Sequence, residues 1–328
     1  MTCNLPDDLP WSALTEARDA LAGGADVLTF CQREHWVCEP GLPNSVADAR
    51  AALVVEVSRG AVRAEHTDGA TAVYLTDANG FAAIECIGDA RLDPAMQNAA
   101  RVYLPVLLGA ARARRDGASF VAAHVTQTLD GRIACENGQS QWIGNEADLH
   151  HSHRMRALLD GVMVGANTAL SDDPKLNVRH VPGADPRRVV LSGRARVLSE
   201  GSQLQLMQGP GSEVFVAAEH APHDHRGPST VHAVRAEDGR LAPADVLAEL
   251  RSRDVHSIYL EGGAGVLSSF LQAGVVDLLQ VHIASMVLGS GLPSLRLPPV
   301  EHVDEGLQLH MDHAILDGHV LLSCRPRT

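Results

Sequence analysis

From residue 119 onward, short apolar segments that suit buried strands alternate with longer segments that suit helices. The predicted strands are 119–125, 161–165, 188–191, 213–218, 256–260, 278–283 and 319–323, and the predicted helices are 146–159, 243–253 and 266–273. Strands that alternate with helices form a largely parallel sheet with helices on both faces. We therefore expect an α/β domain over residues 118–328.

The preceding residues, 1–117, have a different pattern. A short helix is predicted over 11–21, and strands are predicted over 52–57, 71–76 and 81–87. Asn79-Gly80 between two of these strands is a strong hairpin signal. A longer helix is predicted from Pro94 to about Arg115, with basic residues in its last turn and a glycine at 117. We expect a small α+β unit of about three antiparallel strands, whose role the sequence leaves open.

Charge and composition exclude some classes of function. The 328 residues include 40 acidic and 27 basic ones, for a net charge of −13, and 3% are aromatic. A nonspecific nucleic-acid or anionic-membrane binder needs a basic face, and base stacking needs aromatic side chains. The chain opens without the basic and apolar residues of a secretory signal. We therefore expect a cytoplasmic protein with reduced thiols that acts on small molecules.

Two glycine turns follow predicted strands. Glu261–Gly265 joins a strand to a helix and contains three glycines, and Gly165 precedes Asn167 and Thr168 where another helix can start. Such turns present backbone N–H groups to a phosphate, although a tight turn without a ligand has the same composition. The carboxyl ends of parallel strands meet at one edge of a sheet. The two turns together favour a nucleotide cleft, although neither matches the dinucleotide or Walker fingerprint.

Polar segments near these turns could complete a site. The segment 172–179 offers two carboxylates and a terminal arginine, which could hold a sugar or a phosphate or could form a solvated connection. Ser140 and Gln141 precede Trp142, whose indole could stack on a flat ring or pack over a domain edge.

The histidines and cysteines do not follow a known metal motif. The chain has 17 histidines and 6 cysteines, but it lacks the metalloprotease motif His-Glu-x-x-His and the zinc-deaminase pattern. We predict no metal site. The alternative is zinc at Cys31, His35 and Cys38, whose spacing supplies three ligands.

Seven segments in order give the chain a family resemblance. They are Thr128–Ala134, Gly138–Ile143, Arg154 with Arg156, Val164–Thr168, Asp172–Arg179, Leu260–Gly263 and Val287–Gly289. From residue 119 to the end, the sequence resembles the reductase domain of bacterial bifunctional riboflavin-biosynthesis proteins, which belongs to the dihydrofolate-reductase-like superfamily. The resemblance implies a three-layer α/β/α fold and a homodimer. It also implies NADPH-dependent reduction of 5-amino-6-(5-phosphoribosylamino)uracil, with hydride passing to C1′ of the ribosyl group.

The resemblance also implies roles for individual residues. Asp172 and Glu261 would be catalytic. The expected cofactor contacts are Thr126, Trp142, Gly165, Thr168, Asp172, Gly263, Ala264, Gly265, Val266 and Leu267. The expected substrate contacts are Ser140, Arg156, Leu176, Arg179 and Glu261. NADPH, unlike NADH, also needs a cation near its 2′-phosphate, and Arg194 or Arg196, after the predicted strand that ends at Leu191, could supply it.

Two other functions stay open at this point. The same fold could reduce another pterin-like or pyrimidine heterocycle with NADPH. Alternatively, the chain could be a catalytically silent nucleotide-binding scaffold. Family members often carry a zinc deaminase in the N-terminal half, and residues 1–117 lack its motif.

Overall fold

A computed structural model of the protein describes residues 11–25, 27–32, 36–40, 51–56, 72–76, 82–86, 94–199, 203–208, 212–225, 227–237 and 239–327. The chain forms two compact units. The first comprises Met1–Arg115 with Asp312–Gly318, and the second comprises Asp116–Met311 with His319–Thr328.

The first unit contains a five-stranded sheet, and its strands come after one helix and before another in the sequence. Its elements are α1 (Trp11–Ala22), β1 (Val27–Gln32), β2 (Trp36–Pro40), β3 (Ala51–Glu56), β4 (Ala72–Thr76), β5 (Ala82–Cys86) and α2 (Pro94–Arg115). The strand order is β2-β1-β3-β4-β5. Both helices and the three later strands match the predicted segments.

The predicted sheet of three antiparallel strands was wrong in two respects. Strands β1 and β2 were not predicted, and β3 pairs with β4 in parallel. A parallel pair needs a connection of a dozen or more residues, and residues 57–71 supply that length. The antiparallel pairing of β4 with β5 is confirmed, while the Asn79-Gly80 turn and His35 lie outside the described residues, as do the side chains of Cys31 and Cys38.

The remaining elements run from Phe120 to Pro326. The helices are α3 (Glu146–Leu158), α4 (Ala166–Asp172), α5 (Arg196–Ser199), α6 (Pro243–Arg251) and α7 (Ala264–Gln272). The strands are β6 (Phe120–Thr128), β7 (Arg132–Ala134), β8 (Gly161–Gly165), β9 (Arg187–Leu191), β10 (Ser212–Ala217), β11 (Thr230–Val234), β12 (Ala236–Glu237), β13 (Arg240–Leu241), β14 (Ser257–Glu261), β15 (Leu278–Ala284), β16 (Leu292–Pro293), β17 (Leu309–Leu316) and β18 (His319–Pro326).

Nine of these strands form the main sheet, in the order β11-β10-β9-β8-β14-β6-β15-β18-β17. Every pair from β11 to β15 is parallel, and β18 runs antiparallel to β15. The predicted α/β class with a largely parallel sheet is confirmed. Strands β11 and β17 were not predicted.

Helices cover both faces of this sheet. On β6, Val121 and Ala123 belong to a buried apolar cluster that also contains residues of α6 and α7. The intervening residue His124 faces the other way, where its ring lies 5.3 Å from the ring of His151 on α3. This alternation along one strand produces the three layers that the family resemblance implied.

The strand order also places two turns side by side. Strands β8 and β14 are parallel neighbours, so their carboxyl ends lie at the same edge of the sheet. The turn after β8 begins α4 at once, and the turn after β14 leads into α7 through Gly262 and Gly263. In open α/β sheets this edge is where ligands bind.

Among the described residues, none of the helices is both long enough and apolar enough to span a bilayer.

Candidate active site

The turns that follow β8 and β14 face each other at contact distance. A Cβ atom placed on Gly263 would lie 3.0 Å from the Thr168 hydroxyl oxygen, and one placed on Gly165 would lie 2.8 Å from a methyl carbon of Val266. Gly263 also has a φ of 76°, a backbone conformation that favours glycine. Glycine at both positions therefore allows the two turns to approach each other.

Two cavities meet at these turns. The smaller has a volume of about 280 Å³ and the larger about 440 Å³. Both are lined by Asn167 and Thr168 from the first turn and by Gly263 and Gly265 from the second. The two cavities are adjacent, and we refer to them together as the two-lobed hollow; it lies at the place where the sequence predicts a nucleotide cleft.

Most of the residues predicted to contact a cofactor line this hollow. Those in the larger cavity are Thr126, Thr168, Asp172, Gly263, Ala264 and Gly265. The smaller cavity adds Gly165 and Val266. These side chains and glycines come from β6, from the start and end of α4, and from the start of α7.

Two predicted cofactor residues line neither cavity. The indole of Trp142 is 85% exposed, on a residue with a φ of 73°. The side chain of Leu267 is fully buried in the apolar cluster beneath α7, and its backbone N–H donates to the carbonyl of Gly263. Leu267 therefore stabilises the turn, and its side chain faces the core.

Arg156 and Glu261 form an ion pair beside the larger cavity. Glu261 and Ser140, two of the predicted substrate residues, line that cavity. The carboxylate of Glu261, at the end of β14, accepts two hydrogen bonds from the Arg156 guanidinium, at 2.5 Å and 2.7 Å. Arg156 also donates to the carbonyl of Asn177 at 3.2 Å. Burial opposes the charge on Arg156, but the adjacent carboxylate outweighs it and raises the pKa of Arg156 above its usual value. The guanidinium is thus occupied in holding Glu261.

The remaining predicted substrate residues lie on the segment that follows α4. The side chain of Leu176 is buried and its φ is 51°, which fixes the course of this segment. The backbone N–H of Arg179 donates to Nδ1 of His153 at 3.1 Å, and its guanidinium donates to the Asn177 side chain at 3.0 Å. Arg179 is exposed. Arg156 is bonded to Glu261, whereas the exposed Arg179 guanidinium has room for a further anionic partner such as a phosphate.

Asp172 is the last residue of α4 and lines the larger cavity. Although the residue as a whole is exposed, partial burial of its carboxyl group disfavours the charged form, which raises the pKa of Asp172. A carboxyl group with a raised pKa keeps its proton to a higher pH than an ordinary aspartate.

Cationic side chains adjoin the smaller cavity. Arg196 donates to the Asn167 side chain at 3.0 Å, and Asn167 lines both cavities. The guanidinium of Arg194 lies beside Gly239, which lines the smaller cavity together with Arg240. Sequence reasoning named Arg194 and Arg196 but missed Arg240, because the two-residue strand β13 that carries it has no recognisable pattern.

The segments Thr128–Ala134 and Val287–Gly289, which carry part of the family resemblance, are joined to each other by hydrogen bonds. The carboxylate of Asp130 accepts hydrogen bonds from the Thr128 hydroxyl at 2.6 Å and from the backbone N–H of Gly289 at 2.7 Å. The hydrogen bond from Thr128 is the main reason that the pKa of Asp130 is lowered to about 2. The ionised Asp130 thus ties the turn after β6 to the segment after β15.

Comparisons with known proteins place the chain in a family. Residues 119–318 match the family described as RibD C-terminal domain. The chain is 34% identical over 195 residues to a protein of Methanothermobacter thermautotrophicus named 2,5-diamino-6-ribosylamino-4(3H)-pyrimidinone 5′-phosphate reductase, and the match covers 57% of this chain and 86% of that protein. It is 26% identical over 325 residues to the riboflavin biosynthesis protein RibD of Mycobacterium tuberculosis strain H37Rv, covering 94% of this chain and 80% of that one.

A solved structure shares the fold over nearly the whole chain. It is a diaminohydroxyphosphoribosylaminopyrimidine deaminase/5-amino-6-(5-phosphoribosylamino)uracil reductase from Thermotoga maritima. The TM-score is 0.60 at 20% identity, and the match covers 96% of this chain and 97% of that chain.

Proposed function

Because the chain belongs to the RibD C-terminal domain family, we propose that it is an NADPH-dependent reductase of a phosphoribosylated aminopyrimidine, with 5-amino-6-(5-phosphoribosylamino)uracil as the leading substrate. The observation that carries the proposal is the pair of glycine turns facing each other across the two-lobed hollow. Each turn has a glycine at which a Cβ atom would crowd the other turn, Gly263 against Thr168 and Gly165 against Val266.

The hollow suits a dinucleotide in shape and in chemistry. The N-terminus of α7 offers backbone N–H groups to a pyrophosphate, and the glycines leave room for it. The smaller cavity, with Arg240 in its lining and Arg196 next to it, suits the adenosine end and its 2′-phosphate. The larger cavity then receives the nicotinamide and the substrate.

The substrate side of the proposal uses the ion pair and the segment after α4. Arg156 holds the carboxylate of Glu261 in one orientation, so that Glu261 can accept hydrogen bonds from the sugar or the pyrimidine. Arg179, which is exposed, binds the phosphate. In this arrangement Arg156 acts on the substrate through Glu261.

When bound, the cofactor supplies the hydride that reduces C1′ of the opened ribosyl group. Ring opening leaves a double bond between C1′ and the amino nitrogen. As the hydride adds to C1′, the second electron pair of that bond moves to the nitrogen, which takes up a proton that we assign Asp172 to donate. Its carboxyl lines the larger cavity and has a raised pKa. Thr126 and Thr168, which line the same cavity, orient the reacting groups.

The test is steady-state NADPH oxidation by the full chain with the phosphorylated aminouracil, with the 2,5-diaminopyrimidinone 5′-phosphate and with the dephosphorylated form of each. We expect turnover with a phosphorylated substrate. We also expect Arg179→Ala to raise the KM for that substrate by more than 10-fold, because a charged hydrogen bond contributes about 1.5–3 kcal/mol, while the KM for NADPH changes little. Lys175→Ala is the matched control, since Lys175 is an exposed cation in the same segment.

Two results would contradict the proposal. Thermal stabilisation by NADPH without turnover of any pyrimidine would indicate a nucleotide-binding scaffold. Turnover of dephosphorylated pyrimidines or pterins with an unchanged kcat/KM would indicate a reductase of another heterocycle.

A further inference from the structure

Three metal-ligating side chains are buried together between β6, β15 and α3. They are His124 on β6, Asp148 in the first turn of α3 and His282 on β15. Oδ1 of Asp148 lies 3.3 Å from Nε2 of His124 and 3.1 Å from Nδ1 of His282. Neither contact has the N–H alignment of a good hydrogen bond, and each of the three atoms is buried without a hydrogen-bond partner among the described residues.

Buried polar atoms without partners are costly. Each such atom destabilises the folded state by about 1–3 kcal/mol, and more if the group is charged. Here three such atoms, one from each of β6, α3 and β15, lie close together. A cation bound between them would give all three a partner. We propose that His124, Asp148 and His282 bind a divalent first-row transition metal, with zinc as the best match.

The distances fit zinc coordination. Zinc binds histidine nitrogen at about 2.0–2.1 Å and carboxylate oxygen at about 2.0–2.2 Å, usually with tetrahedral geometry, so two ligand atoms lie about 3.3–3.5 Å apart. The two separations from Asp148, 3.1 Å and 3.3 Å, are close to that value, and all three ligand atoms lie within 4.8 Å of one another. Two imidazoles and one carboxylate form a donor set that suits zinc far better than calcium or magnesium.

Neighbouring groups hold the ligand side chains in the orientation that a metal requires. The Thr126 hydroxyl donates to Oδ2 of Asp148 at 2.7 Å, which leaves Oδ1 for the metal. Nε2 of His282 lies 2.8 Å from Nδ1 of His319. A proton on that nitrogen, donated to His319, leaves the lone pair of His282 Nδ1 for the metal. Metal-binding histidines characteristically make such a second hydrogen bond.

The cluster borders the larger cavity, which His124 and Thr126 line. Because the three ligand atoms are themselves buried, a fourth ligand such as a water molecule would have to come from that side. The metal would link β6, α3 and β15, and it would lie next to the larger cavity. The proposal does not depend on the reductase activity.

The first test uses the full chain after dialysis against a chelator. Zinc titration against a chromophoric competitor should give one tight equivalent, and X-ray absorption should show only nitrogen and oxygen neighbours at about 2.0–2.1 Å, with imidazole scattering. Failure to bind zinc would overturn the proposal. A sulfur neighbour at about 2.3 Å would also overturn it, because it would place the metal at cysteines.

Variants provide the second test. His282→Gln and His124→Gln should each lose the tight equivalent, whereas His220→Gln, at an exposed histidine, should keep it. His319→Leu should weaken zinc binding about 10–100-fold, because it keeps all three ligands and removes only the hydrogen bond that orients the His282 ring. Unchanged affinity in the first two variants would overturn the proposal. If circular dichroism shows that either variant is unfolded, the X-ray absorption spectrum of the unmodified chain and the zinc affinity of His319→Leu decide whether the proposal holds.

Discussion

Substituting Gly263 by alanine tests the close approach of the two turns. Gly263 has a φ of 76° and a ψ of 111°, and an alanine held in such a conformation costs about 1–3 kcal/mol. The new Cβ would also lie 3.0 Å from the Thr168 hydroxyl oxygen, and crowding of this kind costs about 1–3 kcal/mol. We therefore expect Gly263→Ala to lower the free energy of unfolding by about 2–6 kcal/mol.

The neighbouring residue separates these two contributions. Gly262 has a φ of 65°, but a Cβ placed there would meet nothing within 4 Å. Gly262→Ala should therefore cost only the backbone strain, about 1–2 kcal/mol. The assay is urea unfolding of both variants, compared through their midpoints at equal slope.

A second substitution then tests the contact itself. Adding Thr168→Ala to Gly263→Ala removes the crowded oxygen, so the double variant should recover about 1 kcal/mol relative to the sum of the single variants. Equal midpoints for Gly262→Ala and Gly263→Ala, together with additive behaviour in the double variant, would refute the claim that the turns are in contact. Thermal stabilisation by NADPH, measured on the same proteins, should be smaller in Gly263→Ala than in the unmodified chain.

Three further predictions concern side chains around the hollow. Arg156→Met should destabilise the protein by about 3 kcal/mol, because it leaves the carboxylate of Glu261 unpaired in a mostly buried position; adding Glu261→Gln should restore part of that loss in urea unfolding. Asp172→Ala should lower kcat strongly without moving the unfolding midpoint, and unchanged kinetics would remove Asp172 from the mechanism. Burial lowers the pKa of His151 to about 3, so the unfolded chain binds a proton there below about pH 6.5 that the folded chain does not. Stability should consequently fall as the pH decreases from about 6.5 towards 3, by at most about 1.4 kcal/mol per pH unit for this residue, and His151→Gln should reduce that slope in acid unfolding.

Much of the fold follows from periodicity in the sequence. The buried strand 161–165 and the helix after Asn145 agree with the structure, and the Asn145 side chain accepts a hydrogen bond from the backbone N–H of Asp148 as a helix cap should. Strands β1 and β11 were missed, although Gly23-Gly24 and Gly227-Pro228 precede them, because polar residues such as Thr29 and His232 interrupt their short apolar pattern. Their pairing partners, which define them in the structure, lie elsewhere in the chain.

The candidate site was only partly accessible to the same reasoning. Glycine turns are local in sequence, and so they were found. The pairing of Arg156 with Glu261 joins residues 105 positions apart, and its consequence, that the guanidinium is occupied, depends on side-chain geometry. The cluster of His124, Asp148 and His282 has no local spacing at all, because it forms only when β6, α3 and β15 come together.

The position of β14 in the main sheet has a consequence for how the protein is made. This strand pairs with β6 on one side and β8 on the other, although both precede it by many residues in the chain. A nascent chain that has emerged from the ribosome only as far as residue 250 therefore lacks the central strand and half of the hollow. Parallel pairing across such a long loop is slow, so the edges of β6 and β8 that will pair with β14 stay unpaired until the last quarter of the chain arrives.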